Sequence, residues 1–81
     1  MLFHKYHISI PLLFVGRVSK RLRDLGIVFS CHRAGMRMDY FLEVSGLDEW
    51  SFIHALDDVH GVRFLGHLVD DRPEVGRSEP K

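Results

Sequence analysis

A change of hydrophobic period at Pro11 constrains the fold of this chain more than any other feature of its sequence. From Lys5 to Ile10 polar and apolar residues alternate, which predicts a half-buried β-strand. From Leu12 to Leu25 apolar residues recur every three or four positions, which is typical of one face of a helix. Pro11 suits the first turn of that helix, and Gly26 suits its end. The chain therefore begins with a strand followed directly by a helix.

The rest of the chain continues this mixture of periods. The predicted elements are a strand from Ile27 to Arg33, a strand from Met36 to Val44, a helix from Asp48 to His60 and a strand from Val62 to Val69. A short turn containing Gly35 joins the middle two strands into a hairpin. Residues 1–69 thus form one domain, and residues 70–81 are polar and aperiodic, which predicts a flexible tail.

The order β-α-β-β-α-β predicts an α+β protein with the ferredoxin-like arrangement. In that arrangement both helices cover one face of a four-stranded antiparallel sheet with strand order 4-1-3-2. Alternation then points Cys31 toward the helices, where a lone cysteine is a small buried core residue. Because the neighbouring His32 faces the other way and no other catalytic set is present, we predict a protein that is not an enzyme.

Length and charge narrow the class of protein further. A chain of 81 residues buries only about 60% of its unfolded surface, so association is a common way for it to gain burial. Eleven basic residues balance eleven acidic ones, which argues against a nucleic-acid partner. An RNA-recognition module shares the element order but needs stacking aromatics on the open strand face, where only Phe41 fits. With one cysteine and no long apolar run, we expect a cytoplasmic protein without a membrane partner.

The face of the sheet opposite the helices is predicted to be unusually apolar. Its predicted large apolar side chains are Val28, Phe41, Leu65 and Val69. A patch of this kind favours a partner interface, and we expect a homo-oligomer, most simply a dimer, formed through this face or a strand edge. Trp50, on the outer side of the second helix, is either a binding hot spot for a partner protein or a cap on the core.

Six histidines are many for a chain of this length. Regular alternation in the last strand places His67 beside His7 on the open face, with His32 at the same end of the sheet but about 10 Å away. One divalent transition metal such as Ni or Zn would then join His7, His32 and His67 only across a dimer. The alternative is three unrelated polar surface positions. His4 lies on the opposite face from His7 and is expected to be a flexible terminal residue.

The stretch "PLLFVGRVSKRLRDLGIVF" resembles the first helix and second strand of ACT domains, with Val15, Val18, Leu22 and Gly26–Ile27 at matching spacing. The ending "HGVRFLGHL" is similar to the close of the ACT-like metal-sensing domain of nickel-responsive repressors, and the resemblance spans residues 5–69. It implies a non-catalytic regulatory or sensing module that self-associates and binds a small ligand or metal at the subunit junction. The alternative is a protein-interaction or accessory subunit without a small ligand.

Overall fold

The computed structural model describes residues 1–72, which form four strands and two helices. The elements are β1 (Leu2–Pro11), a 3-10 turn (Leu12–Phe14), α1 (Val15–Asp24), β2 (Val28–Ala34), β3 (Arg37–Ser45), α2 (Glu49–Ala55) and β4 (Arg63–Asp71). The succession of strands and helices is the one that the hydrophobic periods predict.

The four strands form a single antiparallel sheet in the order β2-β3-β1-β4. Counted from the β4 edge, the same order reads 4-1-3-2. The long strands β1 and β3 occupy the centre and pair without interruption from Phe3 opposite Ser45 to Pro11 opposite Arg37. The result is a small α+β fold consistent with the ferredoxin-like arrangement.

The core lies between one face of this sheet and the two helices. Alternate residues of the two central strands are buried, Tyr6, Ile8 and Ile10 on β1 and Tyr40, Leu42 and Val44 on β3, and both helices contribute to the same apolar cluster. The largest fully buried side chains are Tyr40, Phe52, Ile8, Ile10, Leu22, Val18 and Val44. The opposite face of the sheet carries no helix among residues 1–72, so its side chains remain partly open.

Helix α1 ends in a glycine-dependent turn. Gly26 adopts a φ of 74°, a conformation that residues with a Cβ rarely take. Its N–H donates to the carbonyl of Arg23 (2.9 Å), and the N–H of Ile27 donates to the carbonyl of Leu22 (2.9 Å). This Schellman pattern satisfies two of the free carbonyls at the helix end and sends the chain directly into β2.

Helix α2 is shorter than predicted, because it ends at Ala55 and not at His60. The chain then tightens, and the N–H of Leu56 donates to the carbonyl of Ile53 only three residues back (3.1 Å). Leu56 and Val59 are nevertheless buried. These turns keep the apolar spacing of a longer helix, which explains why periodicity overestimated its length.

Arg21 joins α1 to the turn after α2. Its guanidinium donates to the carbonyl of Ala55 (2.9 Å) and to both carboxylate oxygens of Asp58 (2.5 and 3.1 Å). The hydrogen bond from Arg21 lowers the pKa of Asp58 to about 2. This exposed bidentate pair connects α1 to the turn that follows α2.

Strand β4 contains a β-bulge at Leu65, which has no partner on β1. The bulge moves every following residue to the other face, so the predicted regular alternation is wrong beyond this point. His67 and Val69 consequently lie on the helix-covered side of the sheet. The pairs around the bulge are Ile8 with Phe64, His7 with Gly66, Tyr6 with His67 and His4 with Val69.

The last strand also runs beyond its predicted end. It continues through Asp71, so residues 70 and 71 belong to the sheet and not to a tail. The amino group of Met1 donates to the carbonyl of Arg72 (2.7 Å), and the N–H of Arg72 donates back to the carbonyl of Met1 (2.9 Å). The remainder of the predicted tail, residues 73–81, lies outside the described residues.

Candidate functional site

The open face of the sheet carries an aromatic and polar cluster centred on His7. The ring of His7 stacks on Phe41, with centroids 4.2 Å apart and an interplanar angle of 18°. His32 approaches the same phenyl ring edge-on at 6.0 Å. Phe41 therefore contacts both histidines of this face, and packing with it accounts for their positions.

One ring nitrogen of His7 is buried without a hydrogen bond. Within residues 1–72, no group lies within hydrogen-bond distance of its Nε2, and the nearest carboxylate oxygen, Oδ2 of Asp39, stands 3.6 Å away. A buried polar atom without a partner costs free energy. Because Nε2 is buried, the ring of His7 contributes packing to this face and no open polar contact.

A groove of about 730 Å³ surrounds the ring of His7 on the open face. Val28, Phe41 and Leu68 supply apolar lining, and Glu43 and Lys5 lie between Val28 and Leu68 in one row across the sheet. Arg72 contacts Glu43 and also donates to Asp70 (2.8 Å), a hydrogen bond that lowers the pKa of the Asp70 carboxyl. The groove therefore carries both signs of charge.

The structure does not bring the predicted metal trio together. His7 and His32 lie on the open face beside Phe41, whereas His67 lies on the helix-covered face. The prediction that His67 stands beside His7 is wrong, and the bulge at Leu65 is the physical reason. A single ion cannot contact His7 and His67 of one chain through the sheet between them.

The predicted interface residues divide among separate surfaces. Val28 and Phe41 line the groove as expected, with 81% and 44% of their surface exposed. Leu65 is the unpaired residue of the bulge, and Val69 pairs with His4 on the helix-covered side, so Val69 is not part of the open face. Its place there is taken by Leu68, which is 68% exposed.

Trp50 stands apart from the sheet surface. It lies on α2, is 72% exposed and packs its ring edge-on against His54 at a centroid distance of 4.5 Å. This exposure excludes the interpretation of Trp50 as a cap on the core. Trp50 therefore remains a candidate contact for a partner protein.

Cys31 also differs from its predicted surroundings. It pairs with Tyr40 and so occupies the helix-covered side, as alternation predicts, but its side chain is exposed. Strand β2 is an edge of the sheet, and the core residues of both helices pack over the central strands. The prediction of a buried cysteine is wrong because the small core does not extend to this edge.

A second cluster, which the sequence does not predict, gathers on the helix-covered face. We call it the His4 cluster; it comprises His4 of β1, His67 of β4 and Glu49, the first residue of α2. Nδ1 of His4 lies 2.9 Å from Nε2 of His67 and 3.3 Å from Oε2 of Glu49. His4 is thus an ordered member of a polar cluster and not a flexible terminal residue.

Tyr6 fixes two members of the His4 cluster. Its hydroxyl donates to Oε2 of Glu49 at 2.5 Å, and its ring stacks on His67 with centroids 4.4 Å apart and only 3° between the planes. Burial, together with the hydrogen bond and charge of Glu49, raises the pKa of the Tyr6 phenol above its usual range. The phenol therefore keeps its proton and acts as a donor.

Two signals in the sequence point toward the His4 cluster in retrospect. His4 and Tyr6 share strand parity, so both belong to the helix-covered face. Gly66 interrupts an apolar strand, and an isolated glycine in a strand is a known indicator of a bulge. Neither signal reveals that the start of α2 lies over β1.

Comparison with known proteins does not assign this chain. No protein-family model matches the sequence, and no curated protein matches it significantly. In the part of the chain that the structure describes, no helix is both long enough and apolar enough to cross a membrane. The geometry of the two clusters is therefore the basis for a functional proposal.

Proposed function

We propose that this chain is a non-catalytic, ACT-like regulatory or sensing module that self-associates through its open sheet face and binds a small ligand in the groove there. The observation that carries the proposal is the groove itself, in which Val28, Phe41 and Leu68 form exposed apolar walls. Large exposed apolar side chains that gather on one face of a sheet favour a contact surface. The arrangement of charged residues on this face favours a second copy of the chain as its partner.

The charges of the open face suit a symmetric contact with a second copy. Lys5 pairs with Glu43 at one end of the face, and Asp39 lies opposite Ser9 four residues further along β1. A two-fold axis that runs parallel to the strands between β1 and β3 places Lys5 of each copy over Glu43 of the other, and Val28 over Leu68. Such an isologous arrangement uses the same patch twice, and a chain with zero net charge does not repel its copy.

The groove also has the dimensions of a small-molecule site. Its volume of about 730 Å³ lies within the usual range for ligand pockets, which is about 300–1,000 Å³. His7 and Phe41 line the groove, and Lys5 and Arg72 add cationic groups to it. A small carboxylate, free amino acids included, matches this combination.

The oligomeric state tests the first half of the proposal. Light scattering after size exclusion should give the mass of two chains for the wild type and of one chain for Val28→Lys, because the new charge lies in the apolar wall. Leu13→Lys is the matched control, since Leu13 is equally exposed but lies on the turn before α1. A wild-type mass of one chain at near-millimolar concentration contradicts self-association, as does dissociation of both variants alike.

Ligand binding separates the sensing module from the alternative. Small carboxylates should raise the thermal midpoint of the wild type, and Lys5→Gln should reduce that rise by removing a cation from the groove. A dimer whose midpoint no compound shifts supports an accessory subunit without a small ligand. The exposed Trp50 favours this accessory-subunit hypothesis. Binding of a partner protein by the wild type but not by Trp50→Ala would support it.

A further inference from the structure

We propose that His4, Glu49 and His67 form a binding site for a divalent transition metal, with Zn²⁺ as the ion that the donor set fits. The three residues belong to β1, α2 and β4, and their donor atoms all lie within 4.8 Å of one another. The site is complete within one chain and lies on the opposite face from the groove. It therefore goes beyond the proposed function and does not depend on self-association.

Two of the three donor separations are close to those of tetrahedral coordination. With Zn–N and Zn–O bonds of about 2.0–2.1 Å, neighbouring ligand atoms in a tetrahedron stand about 3.3 Å apart. Nδ1 of His4 and Oε2 of Glu49 already have this separation (3.3 Å), and Nδ1 of His4 and Nε2 of His67 are slightly closer (2.9 Å). The donor of His67 stands within 4.8 Å of both other donors, and its exposed imidazole is the member of the set that must adjust to admit the ion.

Hydrogen bonds within the cluster do not satisfy both polar atoms that face Nδ1 of His4. Nδ1 of His4 carries either one proton or one lone pair, yet it faces both Nε2 of His67 and Oε2 of Glu49. A hydrogen bond to one partner leaves the other approach without a shared proton. A cation between the three atoms satisfies them together, because each presents a lone pair to it.

The surroundings of the cluster are those of a positioned ligand set. Tyr6, 7% exposed, holds the carboxylate of Glu49 through its hydroxyl (2.5 Å) and the ring of His67 by stacking (4.4 Å). Outer contacts of this kind orient metal ligands and strengthen binding. The exposed side of His67 leaves room for water as the fourth ligand. The two imidazoles are borderline donors that suit Zn²⁺ better than Mg²⁺ or Ca²⁺, and Zn²⁺ also accepts a carboxylate oxygen.

Calorimetric titration of the untagged, chelator-treated full chain with ZnCl₂ tests the site. We expect one equivalent per chain. His67→Gln and Glu49→Gln should each weaken binding by more than the about 10–100-fold that loss of an outer hydrogen-bond partner causes. CoCl₂ should give the visible absorption of four-coordinate Co²⁺, which these two variants lose.

The open-face histidines provide the matched controls. His7→Gln and His32→Gln should keep one equivalent at unchanged affinity, because they lie on the other side of the sheet. Val28→Lys should also bind one equivalent, so failure of self-association and failure of the metal site are distinguishable. Less than one equivalent in the wild type overturns the proposal, as does a loss of affinity in His32→Gln equal to that in His67→Gln.

Discussion

The two faces of the sheet use the same residue types to different effect. The stretch "HKYH" sends His7 to the open face and His4 to the helix-covered face. On the open face an aromatic ring, Phe41, lies against both His7 and His32, and their nearest acid stands beyond hydrogen-bond distance. On the covered face His67 and Glu49 converge on one nitrogen of His4. Histidine content alone therefore does not indicate a site. The covered face gains its cluster because α2 packs over β1 and β4 and adds a carboxylate to their two histidines.

The largest expected effect contrasts one aromatic side chain from each face. Tyr6→Ala should lower the free energy of unfolding by about 3–5 kcal/mol, because it empties a buried position against Phe52. Phe41→Ala should cost about 1 kcal/mol, since 44% of the side chain is already exposed. Denaturant unfolding at concentrations low enough to keep the chain monomeric measures both. Equal losses would show that the open face carries as much of the core as the covered face.

The second effect isolates the hydroxyl of Tyr6. Tyr6→Phe should lower the free energy of unfolding by about 1–2 kcal/mol, because Glu49 loses its donor. It should also weaken zinc binding about tenfold through loss of an outer hydrogen bond.

Tyr40→Phe is the control for that effect. Its hydroxyl bonds to Ser19 (2.6 Å) and to the carbonyl of Val15 (3.2 Å), away from the His4 cluster. It should lose similar stability and keep the zinc affinity of the wild type. If both variants lose zinc affinity equally, Tyr6 acts only through general stability and does not position the ligands.

The smallest expected effect comes from removing the bulge itself. Deletion of Leu65 leaves Gly66 opposite His7 and His67 opposite Tyr6, so the strand becomes regular and zinc binding should persist. We expect the thermal midpoint to move by only a few degrees.

Deletion of both Leu65 and Gly66 is the matched variant. It slips the register by one residue, brings His67 opposite His7 and should abolish zinc binding. Circular dichroism would verify that both deletion variants fold. Zinc binding that survives the double deletion would contradict the assignment of His67 to the covered face.

Local patterns predict the elements well where each residue's environment follows from its own strand or helix. The alternation of Tyr6, Ile8 and Ile10 and of Tyr40 and Leu42 identifies the inner face of the two central strands, and these residues are buried. Gly26 similarly ends α1 through a conformation that depends on the glycine itself. The predictions fail at the edges: Cys31 is exposed and α2 stops at Ala55. Whether residues of an edge strand or a short helix are buried depends on contacts with residues far away in the sequence. Local spacing does not describe those contacts.

By itself, the sequence determined the order of elements, the inner faces of β1 and β3 and the parity that separates His4 from His7, because side-chain direction in a strand alternates with a period of two. Only the tertiary structure decided which histidine is the neighbour of which. The register of β4 depends on its pairing with β1, where one unpaired residue reverses the faces of all that follow. The position of Glu49 depends on how α2 packs over the sheet. The His4 cluster exists because those two long-range choices coincide.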